Sequence, residues 1–253
     1  MKLAILIVGE YRSFAHCRKT MLFLDQNNID KDIYINTWNV TNTRNPKTWE
    51  NGGTIAELIP PIYKNISIQE INKDIGIYTT QISIIDKINN GFPNLVNGWI
   101  YGFELIQKSK IHYDYVLVLR PDLFFENSEI SNSYFKSYRP FENYTKGVGF
   151  RPPYKKNYLD DTIFFSTYEN MEKILSYRLI DSIKLNYYET VKFLNNEWHE
   201  FWYDYIVNEN KLCLLPLPID TKTVIARYPI IESSTFDDMW KQYWDYWDPI
   251  HTN

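Results

Sequence analysis

Residues 113–125 read YDYVLVLRPDLFF, and this stretch decides the fold that the sequence predicts. The continuous, mostly aliphatic run from Tyr115 to Arg120 is typical of a strand that is covered on both faces in the middle of a sheet. Because Pro121 cannot donate a hydrogen bond to a neighbouring strand, pairing should end there. Arg120 and Asp122 would then lie at the carboxyl end of the strand, where ligands bind in open α/β sheets.

The segments before this strand alternate between strand patterns and helix patterns. A first strand should end in a turn at Gly9, and a second should end near Thr37 and Trp38. Apolar residues recur at helical spacing just before the central strand. This β-α-β-α-β rhythm predicts a mostly parallel sheet flanked by helices. The predicted elements are strands at 3–8, 33–36 and within KNISIQEI (64–71), and helices at 13–25 with Ser13 as its cap, at 54–59 and at 97–109.

The second half of the chain predicts further strands and helices. Thr167 should cap a helix that begins near Tyr168, because its hydroxyl precedes a helical pattern. No repeat or linker divides the chain, so we expect one domain over residues 1–253, with an aromatic C-terminal tail at 236–253. The other predicted elements are strands at 147–150, 162–166 and within KLCLLPLPI (211–219), and a helix at 195–208.

The composition argues against a nucleic-acid-binding protein and against a membrane-spanning one. The 253 residues carry a formal net charge of -4, which gives no attraction to nucleic acid or to anionic membranes. No apolar run is long enough to span a bilayer. The N-terminal MKLAILIVGEYR predicts a strand, because charged residues follow where a signal peptide would have its cleavage site. Cys17 and Cys213 fit a reducing compartment, so we expect a cytoplasmic protein.

Four stretches, taken in order, resemble the GT-A fold glycosyltransferases that use nucleotide sugars, particularly small viral and capsule-locus members. They are VGEYR after the first strand, NTW after the second, YDYVLVLRPDLFF, and DDTIFFSTYENM. The resemblance covers residues 2–217 and implies a GT-A-like, Rossmann-like α/β fold with a mixed, mostly parallel central sheet. It also implies transfer of a hexose or pentose from a nucleotide-diphosphate sugar to a hydroxyl of a glycan acceptor.

The resemblance further implies a divalent cation, but the motif that would hold it is altered. GT-A enzymes end the central strand in Asp-x-Asp, whose carboxylates bind the cation on the donor diphosphate, whereas this sequence has Arg120, Pro121 and Asp122. We expect Asp122 to hold Mn²⁺ or Mg²⁺ largely through water and phosphate oxygens, with His199 as a candidate second ligand. Two alternatives stand beside this one. Fixed arginine and lysine donors can offset diphosphate charge, or Arg120 can be the structural partner of Asp122 or Glu10.

The resemblance places the nucleotide sugar at the carboxyl ends of the first, second and central strands. Gly9 would let the chain approach the ligand closely, and Arg12 would pair with phosphate through two hydrogen bonds. The alternatives are that Gly9 is an ordinary turn residue, Arg12 a surface residue and Trp38 part of the core. The residues implied to bind the nucleotide sugar are Val8, Gly9, Glu10, Arg12, Thr37, Trp38, Arg120 and Asp160.

A transferase of this kind needs a carboxylate that takes the proton of the acceptor hydroxyl. The resemblance makes Asp161 the first candidate, while Asp122 would orient the donor. A turn before a strand explains Asp160 and Asp161 equally well. In NNEWHEFW, Glu197 and Glu200 would share one helix face and are rival candidates for the base, or that face is simply solvated.

Two other kinds of protein fit parts of the sequence. A sugar nucleotidyltransferase can share this kind of fold, but it would usually show a glycine-rich phosphate loop after the first strand, and GEYRSF has one glycine. A non-catalytic carbohydrate-binding protein would stack sugars on aromatic side chains. Trp240, Trp244 and Trp247 have the spacing of one helical face, which is more typical of a packing surface. Glycan binding without affinity for nucleotides would favour this last class.

Overall fold

The strand predicted at the centre of the sheet lies there in the computed structural model, which describes residues 1–11, 14–42, 63–86, 92–126, 146–150, 162–179, 197–217, 219 and 221–223. The strands are β1 (Lys2–Gly9), β2 (Asp30–Trp38), β3 (Val40–Asn42), β4 (Tyr63–Asn65), β5 (Gln81–Ile85), β6 (Tyr115–Leu119), β7 (Leu123–Phe125), β8 (Gly147–Phe150), β9 (Ile163–Thr167), β10 (Cys213–Pro216) and β11 (Thr221–Thr223). The α-helices are α1 (Phe14–Cys17), α2 (Ile68–Ile75), α3 (Phe92–Lys108), α4 (Tyr168–Ile174) and α5 (Glu197–Asp204).

Seven of these strands form one sheet in the order β10-β8-β9-β6-β1-β2-β5. Strand β9 runs antiparallel to both of its neighbours, β6 and β8, and every other neighbouring pair is parallel. The predicted fold class, an α/β fold with a mixed, mostly parallel sheet flanked by helices, is confirmed. Short antiparallel pairs, β3 with β4 and β7 with β11, lie outside this sheet.

The two faces of the sheet are covered by separate apolar cores. Alternate side chains of β1 point to opposite faces, as the pleat of a strand requires. Ile5 and Ile7 pack into the core that includes α1 and α2. Leu6 and Val8 pack into the core that includes α3, α4 and α5. Because both faces are buried, the strand is apolar from Leu3 to Val8, which is why the N-terminal run was recognisable as a strand.

Helix α3 approaches β1 very closely through two glycines. A Cβ atom placed on Gly98 would lie 2.9 Å from Cγ1 of Val8, and one placed on Gly102 would lie 2.8 Å from Cδ1 of Leu6. Side chains of β1 therefore fill the space that side chains at these two helix positions would need. Asn36 adds a hydrogen bond from its Nδ2 to the carbonyl oxygen of Gly98, at 2.7 Å, and so joins β2 to the same helix.

The helix predicted at 13–25 is wrong over most of its length. Only Phe14–Cys17 is α-helical, and 3₁₀ turns at Arg18–Thr20 and Leu22–Leu24 follow it. The hydroxyl of Thr20 donates to the carbonyl oxygen of Cys17 at 2.8 Å, a local bond that competes with continued helix. Arg18 also turns inward, where its Nε donates to the carbonyl oxygen of Ile75. The predicted cap, Ser13, lies outside the described residues.

The strand predicted within KNISIQEI is also wrong over most of its length, because only Lys64 and Asn65 belong to a strand and a helix starts after them. Strand β4 ends at Asn65, and Ser67 then caps α2 by accepting a hydrogen bond from the backbone nitrogen of Glu70 at 3.2 Å. Serine followed three residues later by glutamate is a known helix-start pattern. The third parallel strand of the sheet is β5 instead, which continues outward from β2.

The elements predicted in the second half are confirmed where the structure describes them. Strands β8 and β10 and helices α4 and α5 lie close to their predicted positions, and a π-helical turn at Tyr205–Glu209 continues α5. Thr167 caps α4 as predicted, since its side chain accepts from the backbone nitrogen of Asn170. The predicted helix at 54–59 and the tail at 236–253 lie outside the described residues. None of the helices in the described ranges is long and apolar enough to cross a membrane.

Candidate functional site

The order of the strands reverses between β1 and β6, and the space outside the carboxyl ends of these two strands is here called the β1/β6 crevice. From β1 the chain adds β2 and β5 on one side of the sheet, and it then returns to place β6 on the other side. A ligand in an open α/β sheet binds outside the carboxyl ends of the strands at such a reversal. The residues that follow β1 and β6, Glu10 and Arg120 to Asp122, are therefore at the position where binding is expected.

The ends of β1 and β6 touch at Gly9. Gly9 has a φ of +138°, and a Cβ atom there would lie 3.1 Å from Cδ of Pro121. Thr37, at the end of β2, donates a hydrogen bond from its hydroxyl to the carbonyl oxygen of Gly9 at 2.8 Å. Only glycine accepts this backbone conformation readily. Pro121, which follows β6, approaches Gly9 closely, and the approach of a ligand at Gly9 stays a prediction.

The carboxylate of Glu10 accepts a buried hydrogen bond next to the contact between Gly9 and Pro121. The residue is 7% exposed, and its Oε1 accepts a hydrogen bond from the hydroxyl of Thr41 at 3.2 Å. Thr41 belongs to β3 and is itself buried. A buried carboxylate is costly unless hydrogen bonds satisfy it, so Thr41 supports the charge that Glu10 places here. Nothing in the sequence singled out Thr41.

Arg120 and Asp122 form a bidentate ion pair at the end of β6. Nε of Arg120 donates to Oδ1 of Asp122 at 2.9 Å, and an Nη atom donates to Oδ2 at 2.7 Å. The Asp122 side chain is 1% exposed, whereas that of Arg120 is 18% exposed. Asp122, one of the two partners considered from the sequence, thus pairs with Arg120 and is the more buried of the two residues.

Asp122 does not fit a divalent cation in this arrangement. Mn²⁺ and Mg²⁺ take oxygen ligands and usually keep bound water, so a carboxylate ligand must have an accessible oxygen. Both oxygens of Asp122 accept hydrogens of the Arg120 guanidinium, and the side chain is almost fully buried. Within the described part of the chain, no three His, Cys, Asp or Glu side chains lie together as a metal would require.

The remaining predicted site residues divide into two groups. Val8 and Trp38 are 1% and 9% exposed, so their side chains belong mainly to the core. The others lie where the structure gives no side-chain description, and their predicted roles stay predictions. Arg12, Asp160 and Asp161 are outside the described residues, and Glu197, His199 and Glu200 belong to α5 with no description of their side chains.

A hydrogen bond that sequence reasoning missed joins the end of β1 to helix α2, outside the sheet. The hydroxyl of Tyr11 donates to Oδ2 of Asp74, in the last turn of α2, at 2.6 Å. Burial and this hydrogen bond raise the pKa of Tyr11, so the phenol stays protonated. The segment that leaves β1 is consequently tied on one side to β2 through Thr37 and on the other to α2.

Comparison with known proteins finds no matching protein-family model and no matching curated protein. Among solved structures, a glycosyltransferase involved in the glycosylation of the major capsid of PBCV-1 has a TM-score of 0.41 and 9% identity, covering 86% of this chain and 81% of that one. The inositol-1-phosphate CTP transferase from T. maritima has a TM-score of 0.41 and 11% identity, covering 95% of each chain. The nucleoside-diphosphate-sugar pyrophosphorylase from Vibrio cholerae RC9 has a TM-score of 0.42 and 9% identity, covering 96% of this chain and 99% of that one. The strand order described above, rather than these distant likenesses, establishes the fold class.

Proposed function

We propose that this protein transfers a sugar from a nucleotide-diphosphate sugar to a hydroxyl of a glycan acceptor. The observation that supports this most is the set of groups at the β1/β6 crevice. A guanidinium that is partly exposed stands at the carboxyl end of the central strand, directly beside the backbone crossing at Gly9. Arginine recognises phosphate through paired hydrogen bonds, and the ends of strands at a switch point are the usual place for nucleotides.

In the proposed reaction, the bond between the anomeric carbon of the sugar and the diphosphate breaks, and its electron pair stays on the diphosphate. The acceptor oxygen bonds to the sugar, and a carboxylate takes the hydroxyl proton. Asp161 is our first candidate for this base, with Glu197 and Glu200 as rivals. The nucleotide would lie along the ends of β1 and β2, near Glu10, Thr37 and Trp38.

The first test is a thermal-shift panel of UDP, GDP, dTDP and CMP sugars on the full chain. A ligand at a hundredfold over its dissociation constant should add about 2.7 kcal/mol to the free energy of unfolding, which gives a readable shift in Tm. Stabilisation by one family of nucleoside-diphosphate sugars would support the proposal and name the base. A panel in which every nucleotide sugar leaves Tm unchanged would contradict it.

The choice of base is tested separately, with the nucleotide sugar that the panel selects. Asp161→Asn should reduce the rate of sugar transfer, or of donor hydrolysis to free sugar, by at least about a hundredfold if Asp161 is the general base. Glu197→Gln is the matched variant. If Asp161→Asn leaves turnover unchanged while Glu197→Gln abolishes it, the assignment of the base passes to Glu197.

Nucleoside triphosphates and glycans, tested in the same way, distinguish the alternatives. A sugar nucleotidyltransferase would be stabilised by nucleoside triphosphates and would release pyrophosphate from a triphosphate in the presence of a sugar phosphate. A carbohydrate-binding protein without activity would respond to glycans and to no nucleotide. Either result would replace the proposed transfer reaction with the corresponding activity.

A further inference from the structure

We infer that Arg120 is the fixed cation that meets the diphosphate, and that Asp122 is the positioning residue that orients Arg120 rather than the ligand of a metal ion. This inference rests on the proposed function, because the diphosphate is the anion that a nucleotide sugar brings to the crevice. It replaces the expectation, drawn from the sequence, that Asp122 holds a divalent cation.

The guanidinium is held by Asp122, beside the crossing of β1 and β6. Asp122 accepts two hydrogen bonds from it, at 2.9 and 2.7 Å, which fixes the plane of the guanidinium group. Pro121, between the two residues, packs against the backbone of Gly9, and a Cβ atom at Gly9 would lie 3.9 Å from Cγ of Arg120. Asp122 therefore fixes the head of the arginine, and the stem lies beside the crossing of β1 and β6.

The exposures of the two side chains point the same way. The side chain of Asp122 is 1% exposed, whereas that of Arg120 is 18% exposed. A ligand at the strand end can therefore reach the arginine more readily than the aspartate. For Asp122 to bind a cation, its carboxylate would have to leave Arg120. The guanidinium would then stand beside a divalent ion within a few ångströms, and two like charges at that distance repel strongly.

Arginine is suited to the role that this arrangement leaves to it. Its guanidinium stays charged at all relevant pH values and can offer paired hydrogens to phosphate. When the sugar leaves the donor, negative charge develops on the diphosphate oxygen, and a cation already fixed in place stabilises that charge without reorganising. Asp122 contributes by keeping the guanidinium in one orientation and does not itself touch the substrate.

The test measures binding to the full chain by calorimetry, with UDP, GDP, dTDP and inorganic pyrophosphate as probes. Each titration is run with Mn²⁺ and again with a chelator, and Mn²⁺ alone is titrated by electron paramagnetic resonance. The variants are Asp122→Asn, Arg120→Lys and the double variant Arg120→Gln/Asp122→Asn, in which two neutral side chains replace the pair. Asp25→Asn is the matched control, because Asp25 also accepts two hydrogen bonds from an arginine, Arg18.

We expect one nucleoside diphosphate to bind wild type equally well with Mn²⁺ and with the chelator. The double variant should weaken that binding by at least about tenfold, the order expected when a charge-assisted hydrogen bond is lost. Asp122→Asn should weaken binding less than the double variant does, without making it sensitive to the chelator. Arg120→Lys keeps the positive charge, so it should also weaken binding less than the double variant does. Asp25→Asn should leave it unchanged, and Mn²⁺ binding should be the same in wild type and in Asp122→Asn.

Three results would overturn the inference about Arg120, the proposed function, or both. Nucleotide binding that is lost in the chelator, and that Mn²⁺ restores in wild type but not in Asp122→Asn, would make Asp122 a metal ligand and leave the proposed function standing. Binding of pyrophosphate alone, lost in the double variant, would keep Arg120 as an anion site and remove the nucleotide-sugar function. Absence of binding by every probe would remove both.

Discussion

The hydroxyl of Tyr11 lies 2.6 Å from Oδ2 of Asp74 and joins the segment that leaves β1 to the last turn of α2. Tyr11 is 5% exposed and its ring packs on that of Phe14, with the ring centroids 5.1 Å apart. The crossing at Gly9 is thus supported by a hydrogen bond from outside the sheet, and several changes around it have predictable costs.

Tyr11→Phe should lower the free energy of unfolding by about 1–3 kcal/mol, because it removes the donor and leaves a carboxylate without this partner. Denaturant unfolding measures the change. Tyr78→Phe is the control, since Tyr78 is 81% exposed and its substitution should alter stability by less than about 0.5 kcal/mol. Equal stability of the two variants would contradict a structural role for the Tyr11 hydroxyl.

Gly9→Ala should destabilise the protein by about 2–4 kcal/mol, since it adds backbone strain at a φ of +138° and a Cβ atom 3.1 Å from Pro121. Gly76→Ala separates the two effects. Gly76 has a φ of +66° with nothing within 4 Å of its Cβ position, so that variant should cost about 1 kcal/mol. A Gly9→Ala cost no larger than that of Gly76→Ala would show that the contact with Pro121 gives way easily.

Gly102→Ala should destabilise the protein by about 1–3 kcal/mol, although alanine favours helices more than glycine does. The reason is that its Cβ would lie 2.8 and 3.1 Å from the two Cδ atoms of Leu6. Combining it with Leu6→Val shortens the obstructing side chain, so the cost of Gly102→Ala should be smaller in that background. Thermal or denaturant unfolding of the four proteins gives the coupling, and strict additivity would argue against the contact.

Arg120→Gln should destabilise the protein by about 3–5 kcal/mol, because it removes the positive charge that pairs with the buried carboxylate of Asp122. The double variant Arg120→Gln/Asp122→Asn also removes the charge of that carboxylate and should recover most of the loss. Denaturant unfolding at neutral pH measures both. If the double variant is as unstable as the single one, the cost comes from packing rather than from the charge of the carboxylate.

Acid should weaken a network at the amino ends of β1 and β2. Burial tends to raise the pKa of Asp32, but hydrogen bonds from Tyr113, Lys2 and Thr80 outweigh it and hold the pKa below the usual 3.8. Since the folded pKa lies below the unfolded one, the stabilisation is present above pH 3.8 and is lost as the pH falls through the folded value. Wild type should therefore lose its advantage over Asp32→Asn as the pH drops below 3.8, and a difference that is independent of pH would contradict this.

The centre of the sheet could be predicted from the sequence because β1 and β6 are buried on both faces. Residues 3–8 of β1 and 116–119 of β6 are apolar at every position, a pattern that surface elements do not show. The segment at 13–25 has apolar residues at helical spacing as well, but there Arg18 turns inward to Ile75 and Asp25, and the chain coils into 3₁₀ turns. A tertiary contact overrode the local preference.

Part of the candidate site also followed from the sequence. The cost of burying an unpaired charge after a run of aliphatic residues indicated that Arg120 needed a carboxylate, and Asp122 was one of the two partners considered. The contacts of Gly9 with Pro121 and of Glu10 with Thr41 could not be predicted, since they depend on which strands become neighbours. Asp74 carries no local signal at all, because its partner lies 63 residues away along the chain.

The position of β9 between β6 and β8 constrains the order in which the sheet can assemble. Strand β8 is synthesised before β9, but only β9 connects it to β6, and β9 pairs with it from Val148 to Phe150. Strand β1 likewise pairs with β6 only when a nascent chain has grown past Tyr115, opposite Leu3. Such distant pairings are slow, and until they form the free edges of β1 and β8 are open to pairing with other chains. During synthesis, the crevice therefore stays incomplete until β6 has been made, although β1 is made first.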